Sequence, residues 1–156
     1  MDLSYVIVFA IIFVVSVAGK FFSNVGMDWY DTLAKPSITP PRWMFGMVWP
    51  IIFLFSGIAA IAVWKTFARD GVFWTIIILF LANAVLNLSW SYLFFYKRLI
   101  FASLICSIVL TLVTYALIFL ITQQSFVIAS LLFLYVVWIT FATYLDFLFW
   151  ALNKNR

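Results

Sequence analysis

Long apolar segments alternate with short polar ones along the whole chain. Five of them are long enough to cross the hydrocarbon core of a bilayer, which needs about 20 apolar residues in a helix. They cover residues 4–22, 45–64, 72–95, 99–121 and 126–150. The regular alternation that is typical of a transmembrane β-barrel is absent. The pattern therefore predicts an all-α integral membrane protein, in which residues 1–156 form one domain with a five-transmembrane-helix bundle.

The connections between the apolar segments differ in length. Residues 65–71, 96–98 and 122–125 form short turns, so neighbouring helices must run antiparallel. The connection between the first two segments, residues 23–44, is long and contains several prolines and tryptophans. A long connection in a compact bundle is usually functional or disordered, and the aromatic content argues against disorder. We therefore expect a functional long loop between helices 1 and 2.

The composition supports a lipid environment and excludes several kinds of enzyme. Hydrophobic residues make up 68% of the chain and charged residues 9%, whereas soluble domains contain about 25% charged residues. The chain has no His, and Cys106 is its single cysteine. A catalytic zinc site, a Ser-His-Asp triad and a haem held by histidine are therefore excluded. We expect no metal, no cofactor and no acid-base hydrolytic site.

The basic residues predict how the chain is oriented in the membrane. Lys65 and Arg69 lie at one end of the predicted helices. Seven basic residues lie at the other end: Lys20, Lys35, Arg42, Lys97, Arg98, Lys154 and Arg156. Because basic residues stay on the cytoplasmic side, we expect the N-terminus outside and the C-terminus in the cytoplasm. The small net charge of +4 thus reports orientation, and we expect no nucleic-acid partner.

Polar side chains at helical spacing mark the inner faces of the third and fourth segments. Asn83, Asn87 and Ser91 follow each other at intervals of four residues, with Trp90 beside them. They either join helices by hydrogen bonds or form the wall of a ligand pocket, and the spacing leaves both interpretations open. In the fourth segment we expect a stripe of small polar residues to serve helix packing. It consists of Ser103, Ser107, Thr111 and Thr114.

The second and fifth segments present aromatic residues on one face. The second segment carries Trp49, Phe53, Ser56 and Ala60 on one side, and the fifth carries Tyr135, Trp138, Ala142 and Asp146. We expect Trp49, Trp90 and Trp138 to form an inward aromatic cluster, because tryptophans of the interfacial belt lie at the headgroup level instead. Asp146 is expected to reach water at the cytoplasmic end, with a buried polar partner as the alternative.

The motifs of the long loop resemble the signature of the TspO family, the tryptophan-rich sensory proteins that include the mitochondrial translocator protein. In and after the loop these motifs are Trp29-Tyr30, Leu33, Lys35-Pro36, Pro40-Pro41, Phe45 and Val48-Trp49. The similarity resumes at Ser56-Gly57-Ile58-Ala59, Leu86-Asn87, Trp90-Ser91, Phe94-Phe95, Tyr135, Trp138, Phe141-Ala142 and Tyr144-Leu145. One departure is Asp146, which stands where the family commonly has Asn.

The resemblance implies a homodimeric five-helix bundle with a ligand pocket that opens toward the long loop. Family members bind porphyrins such as protoporphyrin IX, and also benzodiazepine-type and isoquinoline-type ligands. The expected ligand-binding residues are Trp29, Tyr30, Leu33, Phe45, Trp49, Phe53, Asn83, Asn87, Trp90, Ser91, Trp138, Phe141, Ala142 and Leu145. Trp29, Tyr30 and Leu33 would cover the pocket as a short lid. Lys35 or Arg42 would meet the carboxylates of the tetrapyrrole.

Three functions follow from this resemblance and these residues. The first is a receptor, sensor or transporter that binds a tetrapyrrole in the cytoplasmic membrane of a bacterium. The second is an enzyme that degrades the porphyrin with light and oxygen, in which case the indoles of Trp49 and Trp138 would take part in the chemistry. The third is a membrane scaffold that binds no small molecule.

Overall fold

The computed structural model describes residues 3–155, and every regular element in that range is a helix. The α-helices, in chain order, are α1 (Leu3–Thr32), α2 (Arg42–Thr66), α3 (Gly71–Ser91), α4 (Ile100–Gln124), α5 (Phe126–Ser130) and α6 (Phe133–Asn153). A π-helical turn, Tyr92–Tyr96, extends α3 and is called the π turn below. Five helices are long and apolar enough to span a membrane. The prediction of an all-α membrane bundle is therefore confirmed.

The first helix is longer than the hydropathy pattern indicated. Residues 23–32, which we expected in the long loop, continue α1, and the connection to α2 is only residues 33–41. Phe22, the predicted end of the first apolar segment, is therefore not the end of the helix. Polar residues on one face lower the local hydropathy, but they do not break the helix. The first proline after α1 is Pro36, so nothing before it removes a backbone donor.

The last predicted segment is interrupted near its start. The hydroxyl of Ser125 accepts a hydrogen bond from the amide of Ile128 at 3.3 Å and caps the short helix α5. The chain then tightens, because the amide of Leu132 donates to the carbonyl of Ala129 at 2.9 Å. Leu132 is fully buried at this bend. Residues 126–150 are therefore two helices, and the spanning part is α6.

The helices pack so that one end of the bundle is filled by side chains. In that end, apolar residues of α2, α3, α4 and the α5 region form one cluster that includes Val63, Phe73, Ile121 and Leu132. The outward faces carry exposed apolar side chains such as Phe13, as expected for a surface in contact with lipid. Toward the opposite end, α1, α2, α3, α4 and α6 enclose a cavity.

Small and polar residues allow the other helices to approach closely. The predicted packing stripe of α4 is confirmed, since Ser103, Ser107, Thr111 and Thr114 are all buried. Between α4 and α6 the hydroxyl groups of Thr111 and Thr143 are 2.7 Å apart. On α1, Gly26 lies directly against the backbone of Phe95 in the π turn.

Candidate functional site

A cavity of about 510 Å³ lies between α1, α2, α3, α4, α6 and the π turn. Ligand sites of small molecules typically have volumes of about 300–1,000 Å³ and mostly apolar walls with a few polar groups. Here the apolar wall includes aromatic rings from α1, α2 and α3 together with the π turn and α6. They are Tyr30, Phe45, Trp49, Phe53, Trp90, Phe94, Phe95 and Phe149. The cavity therefore has the size and the wall of a site for a flat apolar molecule.

Most of the ligand-binding residues predicted from the sequence line this cavity. They are Tyr30, Phe45, Trp49, Phe53, Asn87, Trp90, Ser91, Ala142 and Leu145. The aromatic side chains among them pack against other aromatic rings. Trp49 is 5.5 Å from Phe53 between ring centroids, and Trp90 is stacked on Phe94 at 5.5 Å. These contacts fix the orientation of two indoles that face the cavity.

The remaining predicted residues lie behind the wall or above it. Trp138 is buried, with its ring centroid 5.6 Å from Phe45 and 5.8 Å from Phe141. It supports Phe45 and does not line the cavity itself. Trp29 and Leu33 pack against the apolar cluster of Phe94, Leu145 and Phe149. Of the three residues expected to form a lid, only Tyr30 lines the cavity, and it belongs to the last turns of α1.

The two asparagines of α3 have different positions. Nδ2 of Asn83 donates to the hydroxyl of Thr114 at 2.8 Å, and Oδ1 accepts from the hydroxyl of Tyr135 at 2.6 Å. Asn83 thus joins α3 to α4 and α6 and is not part of the wall. Nδ2 of Asn87 donates to the hydroxyl of Tyr135 at 2.8 Å, and Asn87 also lines the cavity. Asn83 thus serves helix packing, whereas Asn87 both joins α3 to α6 and lines the cavity.

The polar face of α1 was missed by the sequence analysis. Ser16, Lys20, Ser23, Asn24 and Met27 all line the cavity. Their spacing was visible in the sequence, because these positions repeat at three to four residues as one face of a helix does. We interpreted Lys20 as a cytoplasmic residue because the apolar segment was taken to end at Phe22. In the continuous helix α1, Lys20 is instead one of the residues that line the cavity.

A second cation stands at the rim. Arg42, at the start of α2, lines the cavity and forms an ion pair with Asp31 of α1. Lys35 is bound to the same carboxylate, with Nζ 3.0 Å from Oδ1, and its ammonium group lies 4.8 Å from the ring of Tyr30. Lys35 does not belong to the lining. Of the two bases expected to meet a ligand carboxylate, only Arg42 is at the cavity.

The connection between α1 and α2 is fastened to the end of α6. Oδ1 of Asn153 accepts a hydrogen bond from the amide of Ala34 at 3.0 Å, and Nδ2 donates to the carbonyl of the same residue at 3.0 Å. Nδ2 also donates to the carbonyl of Phe149 at 2.8 Å. These bonds tie the connection to the end of α6, next to the cluster of Phe94, Leu145 and Phe149 against which Leu33 packs.

Asp146 is buried, and the expectation that it reaches water was wrong. The residue is 4% exposed, and Oδ2 accepts a hydrogen bond from Nε1 of Trp90 at 2.6 Å. Its position on the inner face of α6, one turn after Ala142, turns it toward α3 instead of the membrane surface. The alternative interpretation, a buried polar partner, is therefore confirmed.

Comparison with known proteins extends the resemblance to almost the whole chain. The sequence pattern of the TspO/MBR family matches residues 6–151. A tryptophan-rich protein TspO from Bacillus cereus is 30% identical over 154 residues, which cover 98% of this chain and 99% of the relative. The protein of the same name from Chlorobaculum tepidum is 35% identical over 89% of each chain. The human translocator protein is 30% identical over 89% of this chain and 83% of its own length.

Proposed function

The chain belongs to the TspO/MBR family, and we propose that it is a membrane receptor that binds a tetrapyrrole such as protoporphyrin IX in the cavity enclosed by the five long helices and the π turn. The same apolar wall would admit benzodiazepine-type and isoquinoline-type ligands. The observation that carries the proposal is the combination of aromatic rings and two cations around one cavity of about 510 Å³. Such a receptor would act either as a sensor of its ligand or as a transporter of it.

The aromatic wall suits the faces of a porphyrin. The indoles of Trp49 and Trp90 and the rings of Phe53 and Phe94 come from three different elements. Aromatic contacts of this kind contribute about 0.5–1.5 kcal/mol each beyond the burial of apolar area. A flat macrocycle contacts several rings at once, so the wall favours it over a flexible aliphatic molecule.

The two cations suit the carboxylate tails of the same ligand. Arg42 lies at the rim, where its guanidinium group is already close to one carboxylate, that of Asp31. Lys20 adds an ammonium group on α1. Guanidinium and ammonium groups form charge-assisted hydrogen bonds with carboxylates. A ligand with a flat apolar core and anionic tails therefore matches both the aromatic wall and the two cations of the lining.

A comparison of protoporphyrin IX with its dimethyl ester tests this arrangement. Quenching of tryptophan fluorescence in detergent micelles would report binding of both. We expect Arg42→Gln and Lys20→Met each to weaken binding of the diacid by about tenfold, which corresponds to one charge-assisted hydrogen bond. Binding of the ester should change little. The control variants are Arg69→Gln and Lys97→Met, which remove exposed charges outside the cavity.

The outcomes separate the candidate functions. Loss of diacid binding in the two cavity variants alone supports the receptor. Equal losses in the control variants would mean that the ligand binds by general charge attraction. Absence of binding to the wild-type protein would contradict the proposal and leave a membrane scaffold.

Porphyrin degradation with light and oxygen is the second candidate, because the easily oxidised indoles of Trp49 and Trp90 line the cavity. Here the excited porphyrin would be oxidised by molecular oxygen, and an indole would donate electrons or protect the protein. Trp49→Phe should then suppress product formation under illumination far more than it weakens binding. Trp138 lies behind Phe45, so Trp138→Phe should have a smaller effect on product. A wild-type product rate equal to that of free porphyrin would remove this candidate.

We also propose that the C-terminus is in the cytoplasm of a bacterial cell. Lys20 lines the cavity. Among the described residues, five other basic side chains lie near the end of the bundle where α6 finishes, against Lys65 and Arg69 at the other end: Lys35, Arg42, Lys97, Arg98 and Lys154. Basic residues are retained on the cytoplasmic side. A C-terminal fusion to a reporter that is active only outside the cytoplasmic membrane should stay inactive, and an active fusion would contradict this orientation.

The last part of the proposal is a homodimer. The small residues Ala82 and Ala84 of α3 would let two copies approach closely. Cross-linking in bilayers should yield a dimer across a range of protein-to-lipid ratios. Monomer alone at every ratio would contradict it.

A further inference from the structure

The receptor proposal does not use one polar group of the cavity wall, the carboxyl group of Asp146. It is buried on α6 and lines the cavity beside Trp90. Oδ2 accepts the indole N–H of Trp90 at 2.6 Å. The hydroxyl of Ser107 is a second donor within reach of this carboxyl group, and it also lies 3.0 Å from the carbonyl of Leu104. Asp146 therefore has at most two donors from the protein, the N–H of Trp90 and the hydroxyl of Ser107.

No basic side chain of residues 3–155 forms an ion pair with Asp146. Within residues 3–155, the ion pairs are those of Asp31 with Lys35 and Arg42. A buried acid inside a membrane protein is costly and usually belongs to a ligand site or a polar pathway. A carboxylate has about four acceptor positions on its two oxygens, and Trp90 and Ser107 fill at most two of them. Asp146 thus keeps acceptor capacity at a wall where a bound molecule would lie.

We propose that Asp146 accepts an N–H group of the ligand and makes the cavity selective for an open-chain tetrapyrrole over a cyclic one. This inference rests on the proposed function, because it takes a tetrapyrrole as the ligand class. The N–H groups of a porphyrin are enclosed at the centre of its ring, where a carboxyl group on a helix wall cannot approach them in the ring plane. An open-chain tetrapyrrole exposes its pyrrole and lactam N–H groups along an edge.

The other contacts of the cavity do not discriminate between the two ligand shapes. Both carry carboxylate tails that Arg42 and Lys20 can bind, and both offer conjugated faces to Trp49 and Trp90. The acceptor on α6 lies in the same cavity as the two cations of α1 and α2. An open-chain ligand can therefore place its tails at the cations and its N–H edge at Asp146 at the same time. Asp146 is the specificity residue in this arrangement.

The variant Asp146→Asn tests the inference while keeping the size of the side chain. Its amide oxygen can still accept the N–H of Trp90, but the charge that strengthens a bond to a ligand N–H is lost. The control variant is Asp28→Asn, because Asp28 is exposed on α1 and does not line the cavity. Binding of biliverdin, as the open-chain probe, and of protoporphyrin IX would be followed by tryptophan quenching in the same micelles.

We expect the wild-type protein to bind biliverdin more tightly than protoporphyrin IX. Asp146→Asn should weaken biliverdin binding on the order of tenfold and porphyrin binding by less than about twofold. Equal weakening for both ligands, or none for biliverdin, would overturn the role of Asp146 while porphyrin binding by the wild-type protein would still support the receptor. Failure of the wild-type protein to bind either ligand would overturn the receptor as well.

Discussion

Gly26 is the residue at which α1 touches the π turn. A methyl group added there would lie 2.7 Å from the Cα atom of Phe95 and closer still to its carbonyl oxygen. Because both neighbours belong to backbone, they cannot turn away as a flexible side chain would. The close approach of the two elements therefore depends on the missing side chain.

Gly26→Ala should destabilise the protein by about 1–3 kcal/mol, as overpacking of a well-packed core does. The matched control is Gly71→Ala, where an added methyl group meets nothing within 4 Å. Unfolding in mixed micelles with increasing SDS would measure both variants. Equal stability of Gly26→Ala and the wild-type protein would mean that the π turn can move away from α1 at no cost.

The hydroxyl of Tyr135 holds the two asparagines of α3. It donates to Oδ1 of Asn83 and accepts from Nδ2 of Asn87, at 2.6 and 2.8 Å. Tyr135→Phe would leave two buried amide groups short of a partner, so we expect a loss of about 1–2 kcal/mol. The control is Tyr144→Phe on the exposed face of α6. The same SDS titration measures the stability of both variants. Equal stability of Tyr135→Phe and Tyr144→Phe would contradict the prediction.

Helical spacing predicted the direction of some side chains correctly but not how deeply they are buried. Trp49 and Ala142 were placed inward by helical spacing and line the cavity. Trp138 has the same spacing but lies one layer deeper, because Phe45 occupies the space in front of it. Helical periodicity gives the direction of a side chain and not its depth, so the sequence could not separate the two positions.

At the scale of elements, the connection 33–41 is short and is tied down at one residue. Asn153 forms hydrogen bonds with both the amide and the carbonyl of Ala34. The partners are 119 positions apart in the sequence. A local sequence pattern therefore cannot predict that they form hydrogen bonds. The hydropathy pattern also placed the start of the connection too early, since the polar face of α1 lowered its apparent apolar length.

Asn153→Ala should free the connection without unfolding the bundle. The amide of Ala34 loses its acceptor, so its hydrogen exchange should become faster by about tenfold or more. Amide exchange measured by mass spectrometry over residues 33–41 would detect the change. Asn155→Ala is the control, because Asn155 is exposed beyond the end of α6. Unchanged exchange in Asn153→Ala would show that other contacts hold the connection.

For the whole molecule, the number of spanning helices followed from hydropathy because a bilayer requires a minimum length of apolar helix. The cavity did not follow from it. Its volume depends on how α1, α2, α3, α4, α6 and the π turn meet at one end, while Val63, Phe73 and Leu132 pack in one cluster at the other end. That difference between the two ends arises from packing of distant segments, which periodicity within one helix does not encode.

If a tetrapyrrole binds in this cavity, added bulk at Gly46 should exclude it. Gly46 lines the cavity on α2, and a side chain added there meets nothing within 4 Å. Gly46→Leu would therefore fill space that the ligand needs while a good helix former keeps α2 intact. Gly71→Leu adds the same side chain at an equally open position outside the cavity. Titration with protoporphyrin IX should give a dissociation constant at least about tenfold higher for Gly46→Leu and a wild-type value for Gly71→Leu. Wild-type affinity in Gly46→Leu would contradict the account, because the porphyrin would then bind elsewhere.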